Sequence, residues 1–403
     1  MSEIVYLDSC DFSDLSEPAH RLSEENRRIL ETIRAAANSG RARFVLSGIH
    51  LSEAVHATEH PAHKAAALRR AILMEELCSD NFLRLPHEVM SLEIAKALSG
   101  TREAKLSSEE LFSGKSEWFG MNLSLEFGNK QRKAMAQFEE RIAHLPRSER
   151  RRLRSDMSLT KRSGRAKWRE LVRNDTSPLS NEFPFSLFSA KFVTEWIAGC
   201  VTDEEYSSRL YGIMNSPRGL VESVLDLTNE RQTIYSLLRS EGEGMQKRID
   251  EKLHEAVEKI GNLANTLPNF EFSKTFRQAI PKTEVRKTII SCYSDYDLNG
   301  FTDKEISEII SSCPAVSTFL EMYIAYYSSR YESTWQRMRA GHNSPKPRSA
   351  SDFGDMMHAV YLPYCNLFRC DAYFSSLLRQ NGAVRARVIN RNGLHALSSI
   401  RQV

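Results

Sequence analysis

Two aspartates near opposite ends of the chain each follow a short apolar run that is typical of a buried strand. Asp8 closes residues 4–8, and Asp371 follows residues 367–370. If the two strands are parallel neighbours, both carboxylates lie at the carboxyl edge of one sheet, where open α/β sheets bind ligands. Like charges held this close together are costly unless a cation neutralises them. The pair therefore predicts a site for a divalent metal ion.

Two further acids belong to helices that such a sheet would place beside these strands. Glu53 lies early on the helix predicted after the second strand, and Asp355 lies on a helix that leads into the strand before Asp371. Each acid alone has a structural explanation, because an aspartate after a strand often caps a helix and the helix dipole favours an early glutamate. Asp355, however, falls on the apolar face of its helix, which capping alone does not explain. The four acids together predict one carboxylate site.

Ser9 and Asp352 are predicted to lie at the edge of this site. Ser9 follows Asp8 directly, so its hydroxyl would hold a metal-bound water or a phosphate oxygen, or else belong to a turn. Asp352 precedes Asp355 by three residues, which is the spacing of an N-cap and its companion in a capping box. We therefore expect Asp352 at the rim of the site and not at its centre.

The composition is that of an ordinary globular protein. Of 403 residues, 41% are apolar and 27% are charged, and the net charge of +3 gives no overall argument for nucleic acid. The seven cysteines form no C-x-x-C pair and no zinc spacing, which is typical of reduced thiols in a cytosolic protein. A strand begins close to Met1 and no apolar run reaches membrane-spanning length. We therefore expect a cytoplasmic protein without a signal peptide or membrane segment.

Strand and helix patterns alternate at both ends of the chain, which predicts an α/β fold with a parallel sheet flanked by helices. At the amino-terminal end the predicted strands are 4–8, 43–47 and 82–85, and the predicted helices are 18–37, one carrying Glu53, 62–78 and 88–98. A loop is predicted between the first strand and the first helix. At the carboxyl-terminal end the order is helix 352–363, strand 367–370, helix 372–379 and a final apolar run at 386–389.

A long segment with almost no strand pattern separates these two parts. Its helical stretches are 185–199, 204–214, 219–240, 243–264 and 303–328. The predicted organisation is one α/β domain in two pieces, 1–100 and 347–403, interrupted by a helical insertion domain at 101–346. All four tryptophans lie within the insertion, which predicts that the insertion has a core of its own.

The order of the four acids resembles that of the PIN-domain nucleases, the fold of the VapC-type toxin ribonucleases and, more distantly, of flap endonucleases. In that family an aspartate ends the first strand, a glutamate lies on the helix after the second, a third acid lies on the helix before the fourth strand, and another aspartate ends that strand. The matching residues here are Asp8, Glu53, Asp355 and Asp371. The sequence departs from the family at Asn366, where a further acid is common, and in the size of the insertion.

The resemblance implies a nuclease that hydrolyses phosphodiester bonds with Mg²⁺ or Mn²⁺ held by the four acids. Two metal ions about 4 Å apart lower the pKa of the attacking water and bind both the attacking and the leaving oxygen. We expect an endoribonuclease, with RNA favoured over DNA as the nucleic-acid substrate. The alternatives are a DNA-cleaving nuclease, and a catalytically silent module whose helical insertion binds a protein partner. The insertion could also mediate a homo-oligomer.

A basic segment within the insertion is the predicted nucleic-acid contact. Residues 147–173 contain eleven Lys or Arg against three acids, which is an electrostatic footprint for a phosphate backbone. Trp168 in this segment could stack on a base. The basic residues assigned to the contact are Arg150, Arg151, Arg152, Arg154, Lys161, Arg162, Arg165 and Lys167. A solvated charged helix is an equally good explanation of the pattern.

Several histidines lie close to Glu53 in the sequence. They are His50, His56, His60 and His63. We interpret them as surface residues of helices, because isolated histidines on helices are commonly solvent-facing. The less favoured alternative places His56 at the edge of the carboxylate site.

Overall fold

A parallel sheet built from both ends of the chain lies at the centre of the fold. In the computed structural model its four strands are β1 (Glu3–Tyr6), β2 (Ala42–Val45), β3 (Leu367–Arg369) and β4 (Val388–Ile389). They are ordered β2-β1-β3-β4, and each pairs with its neighbour in parallel. β1 is therefore an inner strand, and its partner β3 comes from the other end of the sequence. The predicted α/β class with a parallel sheet is confirmed.

The described part of the chain contains gaps, most of them within the predicted insertion. The structure describes residues 2–55, 60–100, 103–113, 139–140, 142–156, 192, 196, 201–214, 216–225, 260, 274–275, 282–294, 296–339, 352–379, 388–389 and 394. The side chains of Asp352 and Asp355, among others in these ranges, lie outside the described part. The predicted helices at 185–199 and 243–264 fall almost wholly outside it as well.

Helices make up most of the described chain. The α-helices are α1 (Ser9–Leu15), α2 (Glu24–Asn38), α3 (Gly48–Val55), α4 (Pro61–Cys78), α5 (Pro86–Leu98), α6 (Ser108–Leu111), α7 (Arg147–Asp156), α8 (Asp203–Met214), α9 (Pro217–Val224), α10 (Lys282–Tyr293), α11 (Asp303–Ser312), α12 (Pro314–Arg339), α13 (Asp352–His358) and α14 (Ala372–Arg379). A 3-10 helix at Ala359–Tyr364 connects α13 to β3. The predicted helices at 62–78, 88–98, 204–214 and 372–379 are confirmed as α4, α5, α8 and α14.

The segment after β1 differs from the predicted loop followed by a helix over 18–37. α1 begins directly after the strand, because Asp8 and Asp11 form a capping box at its amino terminus. α2 begins only at Glu24, after the N-cap residue Ser23. The sequence prediction missed α1 because its seven residues are too few to show a helical period.

The predicted strand at 82–85 is wrong. The segment forms only two isolated bridges: Phe82 pairs in parallel with Leu46, just beyond the end of β2, and Leu83 pairs antiparallel with Phe112. Each of these pairings is limited to one residue pair, so neither extends into a ladder. The apolar run resembles a strand because a buried connection shows the same pattern of side chains.

Prolines divide two of the predicted helices. The segment predicted as one helix over 352–363 is α-helical only as far as His358 and then continues as a 3-10 helix. Pro363 lacks an N–H donor, and its ring would clash with the Ala359 carbonyl if the α-helix continued. The segment predicted as one helix over 303–328 is two helices, since Pro314 occupies the first position of α12.

Two clusters of buried side chains cover the two faces of the sheet. Val5 and Leu7 belong to one cluster and Tyr6 to the other, as expected for residues that alternate along a strand. The predicted insertion contributes to both, since Phe319 belongs to the cluster of Tyr6 and Trp196 to that of Val5. The expectation of a separate core is therefore wrong for the described residues. Amphipathic helices must bury an apolar face, and the faces of the sheet are available for it.

The helices of the described ranges differ from membrane-spanning helices in length or in composition. In those ranges no helix combines the length and the apolar character that crossing a membrane requires. α12 is the longest of them, with 26 residues, but its second half carries several arginines and a glutamate.

Candidate carboxylate site

Asp8 lies at the junction where β1 leads into α1. Its side chain accepts a hydrogen bond from the Cys10 N–H at 3.1 Å, and its own N–H donates to Asp11 Oδ2 at 3.1 Å. An N-cap aspartate in this position satisfies a helix N–H that has no partner within the helix. The carboxylate therefore has a structural role in addition to any chemical role.

Asp371 holds the equivalent position at the end of β3. Its Oδ1 accepts a hydrogen bond from the Phe374 N–H at 2.7 Å, which caps α14. Tyr6 of β1 pairs with Phe368 of β3, and neighbouring strands lie about 4.8 Å apart. Asp8 and Asp371 therefore leave adjacent parallel strands at the same edge of the sheet. The predicted adjacency of the two strands is confirmed.

Glu53 lies on α3 and faces His358 at the end of α13. The distance from His358 Nε2 to Glu53 Oε1 is 3.7 Å, which is an ion-pair distance and too long for a good hydrogen bond. Burial favours the neutral form of Glu53, but His358, together with Ser9 and His50, outweighs burial and lowers the pKa of Glu53 to about 2. Glu53 is therefore ionised at neutral pH, as a metal ligand or an electrostatic group must be.

The Ser9 hydroxyl lies close to Glu53. Its Oγ is buried and makes no hydrogen bond of ordinary geometry with any residue in the described ranges. It is nevertheless near enough to contribute to the low pKa of Glu53. Because a buried hydroxyl without a partner is costly, a water molecule or a substrate oxygen at this position would be stabilised.

A chain of buried hydrogen bonds runs from His358 into the core. The Tyr6 hydroxyl contacts His358 Nδ1 on one side and Ser47 Oγ on the other, the latter at 2.9 Å. His50 Nδ1 lies 3.0 Å from Ser47 Oγ and 3.1 Å from the Ser47 nitrogen, and His50 Nε2 lies 2.8 Å from the Leu7 carbonyl oxygen. Burial, with a contribution from His358, lowers the pKa of His50 to about 3. The His50 ring is therefore neutral.

A buried ion pair supports the same edge of the sheet. Arg369 Nη2 lies 3.2 Å from Asp11 Oδ1, and the two side chains are 8% and 2% exposed. The guanidinium also donates to the Cys370 carbonyl and approaches Cys10 Sγ at 3.8 Å. Burial disfavours the charged form, but Asp11, with a smaller contribution from Asp8, raises the pKa of Arg369. This arginine therefore offsets part of the negative charge at the carboxylate edge.

Three of the four predicted acids lie on elements that meet at this edge. Asp8 and Asp371 end neighbouring strands, and Glu53 approaches the residue after Asp8. Asp355 lies on α13 one turn before His358, which contacts Glu53, so the backbone of Asp355 belongs to an element that reaches the site. The side chains of Asp355 and Asp352 lie outside the described part of the chain.

The predicted basic contact is described only in part. Arg151 and Arg152 of α7 are exposed, and Arg150 is half-buried. Arg154 Nε donates to Glu139 Oε1 at 2.8 Å, so the charge of Arg154 is already paired within the protein. The other residues assigned to this contact lie outside the described residues: Lys161, Arg162, Arg165, Lys167 and Trp168.

The side chains at this edge of the sheet offer mainly oxygen atoms to a divalent cation. Among the described side chains, no group of three or more His, Cys, Asp or Glu has the arrangement of a metal site. Asp355 is not among those side chains. The available donors are carboxylate oxygens and the buried Ser9 hydroxyl, which are the ligands that Mg²⁺ prefers over nitrogen or sulfur. The residues therefore fit a hard divalent cation in chemical type.

The sequence interpretation missed the polar residues that support the acids. The interpretation of His50 as a surface residue is wrong, because it is fully buried and hydrogen-bonded at both ring nitrogens. His60 and His63 are exposed as expected, whereas His56 lies outside the described residues. Arg369 gave a usable signal, since a charged residue inside an apolar strand must have a buried partner. The partner could not be identified from the sequence alone.

Comparisons with known proteins add no assignment to this geometry. No protein-family model matches the chain, and no curated protein or solved structure is significantly similar to it.

Proposed function

We propose that this protein is a metal-dependent nuclease of the PIN-domain type that hydrolyses phosphodiester bonds, with RNA as the favoured substrate. The observation that carries the proposal is the adjacency of β1 and β3, which are distant in sequence and lead into Asp8 and Asp371 at one edge of the sheet. The half-buried, ionised Glu53 at the same edge supports it. Negative charge is costly to concentrate in this way, and a cation-dependent reaction gives it a use.

Each side chain of the site would have a distinct role in this chemistry. Asp8, Glu53, Asp355 and Asp371 would hold Mg²⁺ or Mn²⁺, which when bound lowers the pKa of a water molecule and stabilises charge on the phosphate. Asp8 and Asp371 are oriented by the helix N–H groups that they cap, so their second oxygens are fixed in space. The buried hydroxyl of Ser9 lies close to Glu53 and would contact a phosphate oxygen bound there.

A catalytically silent module is the second candidate, and specific contacts favour it. Asp8 and Asp371 both cap helices, and Arg369 neutralises Asp11 beside them. These acids therefore have structural uses that require no metal ion. On this alternative the helical insertion would bind a protein partner and the carboxylate edge would be a remnant without activity.

A cleavage assay distinguishes these candidates. The purified protein is incubated with total RNA and, separately, with single-stranded DNA, in Mg²⁺, in Mn²⁺ and in EDTA. We expect RNA cleavage in either metal, no cleavage in EDTA, and no cleavage by the Glu53→Gln variant, which keeps the size of the side chain and loses its charge. Glu31→Gln is the matched control, because Glu31 is exposed on α2.

Four outcomes would contradict the proposal. Full activity in EDTA would exclude the metal-dependent mechanism, and full activity of an Asp8→Asn, Asp371→Asn double variant would exclude the carboxylate site. Cleavage of DNA in preference to RNA would favour the DNA-cleaving alternative, since only 2′-hydroxyl contacts and the binding surface distinguish the two substrates. No cleavage of either substrate would favour the silent module.

A further inference from the structure

Two backbone contacts of the His50 ring, at one end of the buried hydrogen-bond chain, determine which ring nitrogen carries the hydrogen. A carbonyl oxygen can only accept, so His50 Nε2 must carry the hydrogen that it donates to Leu7. A backbone N–H can only donate, so His50 Nδ1 must accept from the Ser47 N–H. Both contacts require the same neutral form of the ring, with its hydrogen on Nε2. The hydrogen bonds from His50 to Leu7 and from the Ser47 N–H to His50 therefore have only one possible direction.

Only the two hydroxyl groups that follow can change direction. In one arrangement the Ser47 hydroxyl donates to Tyr6, which donates to His358 Nδ1, and the single hydrogen of a neutral His358 ring is then on Nε2. In the other, Ser47 donates to His50 and Tyr6 donates to Ser47, so that Tyr6 accepts a hydrogen bond from His358 Nδ1–H. His358 Nε2 then faces the Glu53 carboxylate, which would repel a lone pair, so in this arrangement Nε2 carries a second hydrogen.

We propose that His358 is a positioning residue for Glu53, and that the buried chain through Tyr6, Ser47 and His50 holds a hydrogen on His358 Nε2, directed at the Glu53 carboxylate. The first arrangement gives this result with a neutral ring, and the second gives it with a ring that carries a hydrogen on both nitrogens. The chain is anchored at the Leu7 carbonyl, which belongs to the residue immediately before Asp8. The same backbone segment thus fixes one candidate acid directly and a second acid through hydrogen bonds.

The inference rests on the proposed function in one respect, namely that Glu53 acts on a metal ion or substrate. Groups that hydrogen-bond a ligating side chain orient it, and replacing them typically lowers metal affinity or activity by about 10- to 100-fold. His358 Nε2 is 3.7 Å from Glu53 Oε1, so a small approach of the two side chains would convert this contact into a hydrogen bond. Removing the donor at this position should therefore reduce turnover more than substrate binding.

Two substitutions at one position separate the two nitrogens of His358. In His358→Gln the side-chain amide nitrogen can occupy the place of Nε2 and keep a donor towards Glu53. In His358→Asn the amide nitrogen can occupy the place of Nδ1, so no donor faces Glu53. We expect kcat to fall by about 10- to 100-fold in the asparagine variant and clearly less in the glutamine variant, with KM little changed in both. A third variant, Tyr6→Phe, removes the hydroxyl that contacts His358. Tyr206→Phe is its control, because it removes a buried tyrosine hydroxyl from the cluster on the other face of the sheet.

Long-range ¹H–¹⁵N spectra of the histidine rings test the chain without any activity. We expect His50 in the neutral form with its hydrogen on Nε2, and a hydrogen on His358 Nε2, with the His358 signals shifted in Tyr6→Phe. A neutral His358 ring with its hydrogen on Nδ1 would overturn the inference, and so would equal kcat values for the glutamine and asparagine variants. If the wild-type protein cleaves no nucleic acid, the proposed function fails, while the spectra still decide whether the chain directs His358 at Glu53.

Discussion

At the scale of single residues, Asp371 combines a structural role with a proposed chemical one. One of its oxygens accepts the Phe374 N–H at the start of α14. Repulsion between the neighbouring acids predicts that the fold survives neutralisation of Asp371 or becomes more stable, because like charges are then removed. Arg369 reduces that repulsion, and the cap adds a stabilising contact. The two contributions oppose each other, so the choice of substitution determines which one an experiment measures.

Asparagine and alanine at position 371 separate the two roles. Asparagine caps helices about as well as aspartate, whereas alanine at an N-cap costs about 1 kcal/mol. We expect Asp371→Asn and Asp371→Ala to abolish cleavage equally, and only Asp371→Ala to lower the free energy of unfolding by about 1 kcal/mol. Urea denaturation and the cleavage assay measure the two effects on the same preparations. Equal loss of stability in both variants would show that the charge, and not the cap, stabilises the native state.

At the scale of elements, a buried glutamate joins the predicted insertion to the α/β part. Glu93 of α5 is fully buried and accepts hydrogen bonds from the Ala315 and Val316 N–H groups at 2.9 and 3.2 Å, which caps α12 from another helix. The Tyr364 hydroxyl also donates to Glu93 and accepts from the Leu106 N–H at 3.2 Å. Burial nevertheless prevails over these donors and raises the pKa of Glu93 to about 7.

The raised pKa of Glu93 predicts a pH-dependent stability. A carboxyl whose pKa is higher in the folded than in the unfolded state contributes most at pH values below its ordinary pKa, and this contribution is lost as pH rises through the folded value. We expect wild type to lose about 3 kcal/mol relative to Glu93→Gln between pH 4.5 and a pH above 7. Urea denaturation across this range measures the difference. Glu109→Gln, at an exposed position on α6, is the control, and parallel curves for all three proteins would contradict the raised pKa.

The helix α7 provides the clearest test of nucleic-acid binding. Arg151 and Arg152 are exposed, whereas Arg154 is paired with Glu139. If α7 binds the phosphate backbone of RNA, replacing Arg151 and Arg152 with Gln should reduce the slope of log affinity against log salt by about 0.7 for each arginine–phosphate pair removed. Arg154→Gln is the matched control and should change the slope less. Binding isotherms over a range of salt decide the matter, and unchanged slopes would assign α7 to solvent or to a protein partner.

At the scale of the whole molecule, the described helices of the insertion are part of the common core. α12 packs against the 3-10 helix before β3 and against α5, and its Phe319 is completely buried. Helices that share apolar clusters with the sheet should unfold together with it. If either the helices or the sheet unfolded alone, the apolar side chains of the other would be exposed to water. We therefore expect the candidate site and the described insertion helices to gain and lose their structure together.

The substitution Phe319→Ala tests this shared core. Truncating a buried phenylalanine costs about 3 to 5 kcal/mol, and here the loss of stability should reach the sheet as well as α12. We expect amide hydrogen exchange to accelerate in β1, at Val5 and Tyr6, as much as in α12. Leu92→Ala on the exposed face of α5 is the control, with an expected cost within about 0.5 kcal/mol. Unchanged protection in β1 would show that the insertion has an independent core.

Local patterns in the sequence determined the elements that carry the site. The apolar runs before Asp8 and Asp371, and the alternation of strands and helices around them, were enough to predict parallel strands from both ends of the chain. They were enough because a strand buried on both faces is mostly apolar, so that even β3, which contains Arg369, stands out from the polar residues that follow it. Two helix boundaries were not predicted. The α-helix before Ala359 ends because of Pro363, and α2 begins where the Ser23 hydroxyl caps it.

Only the tertiary structure decided which groups stabilise the acids. Nothing in the sequence indicates that Arg369 pairs with Asp11, or that Tyr6 links His358 to Ser47, because these partners are brought together by the order of the strands. The same holds for the insertion helices, whose apolar faces could equally have packed on one another. Periodicity shows that a face must be buried, but what it is buried against depends on contacts between residues that are distant in the chain.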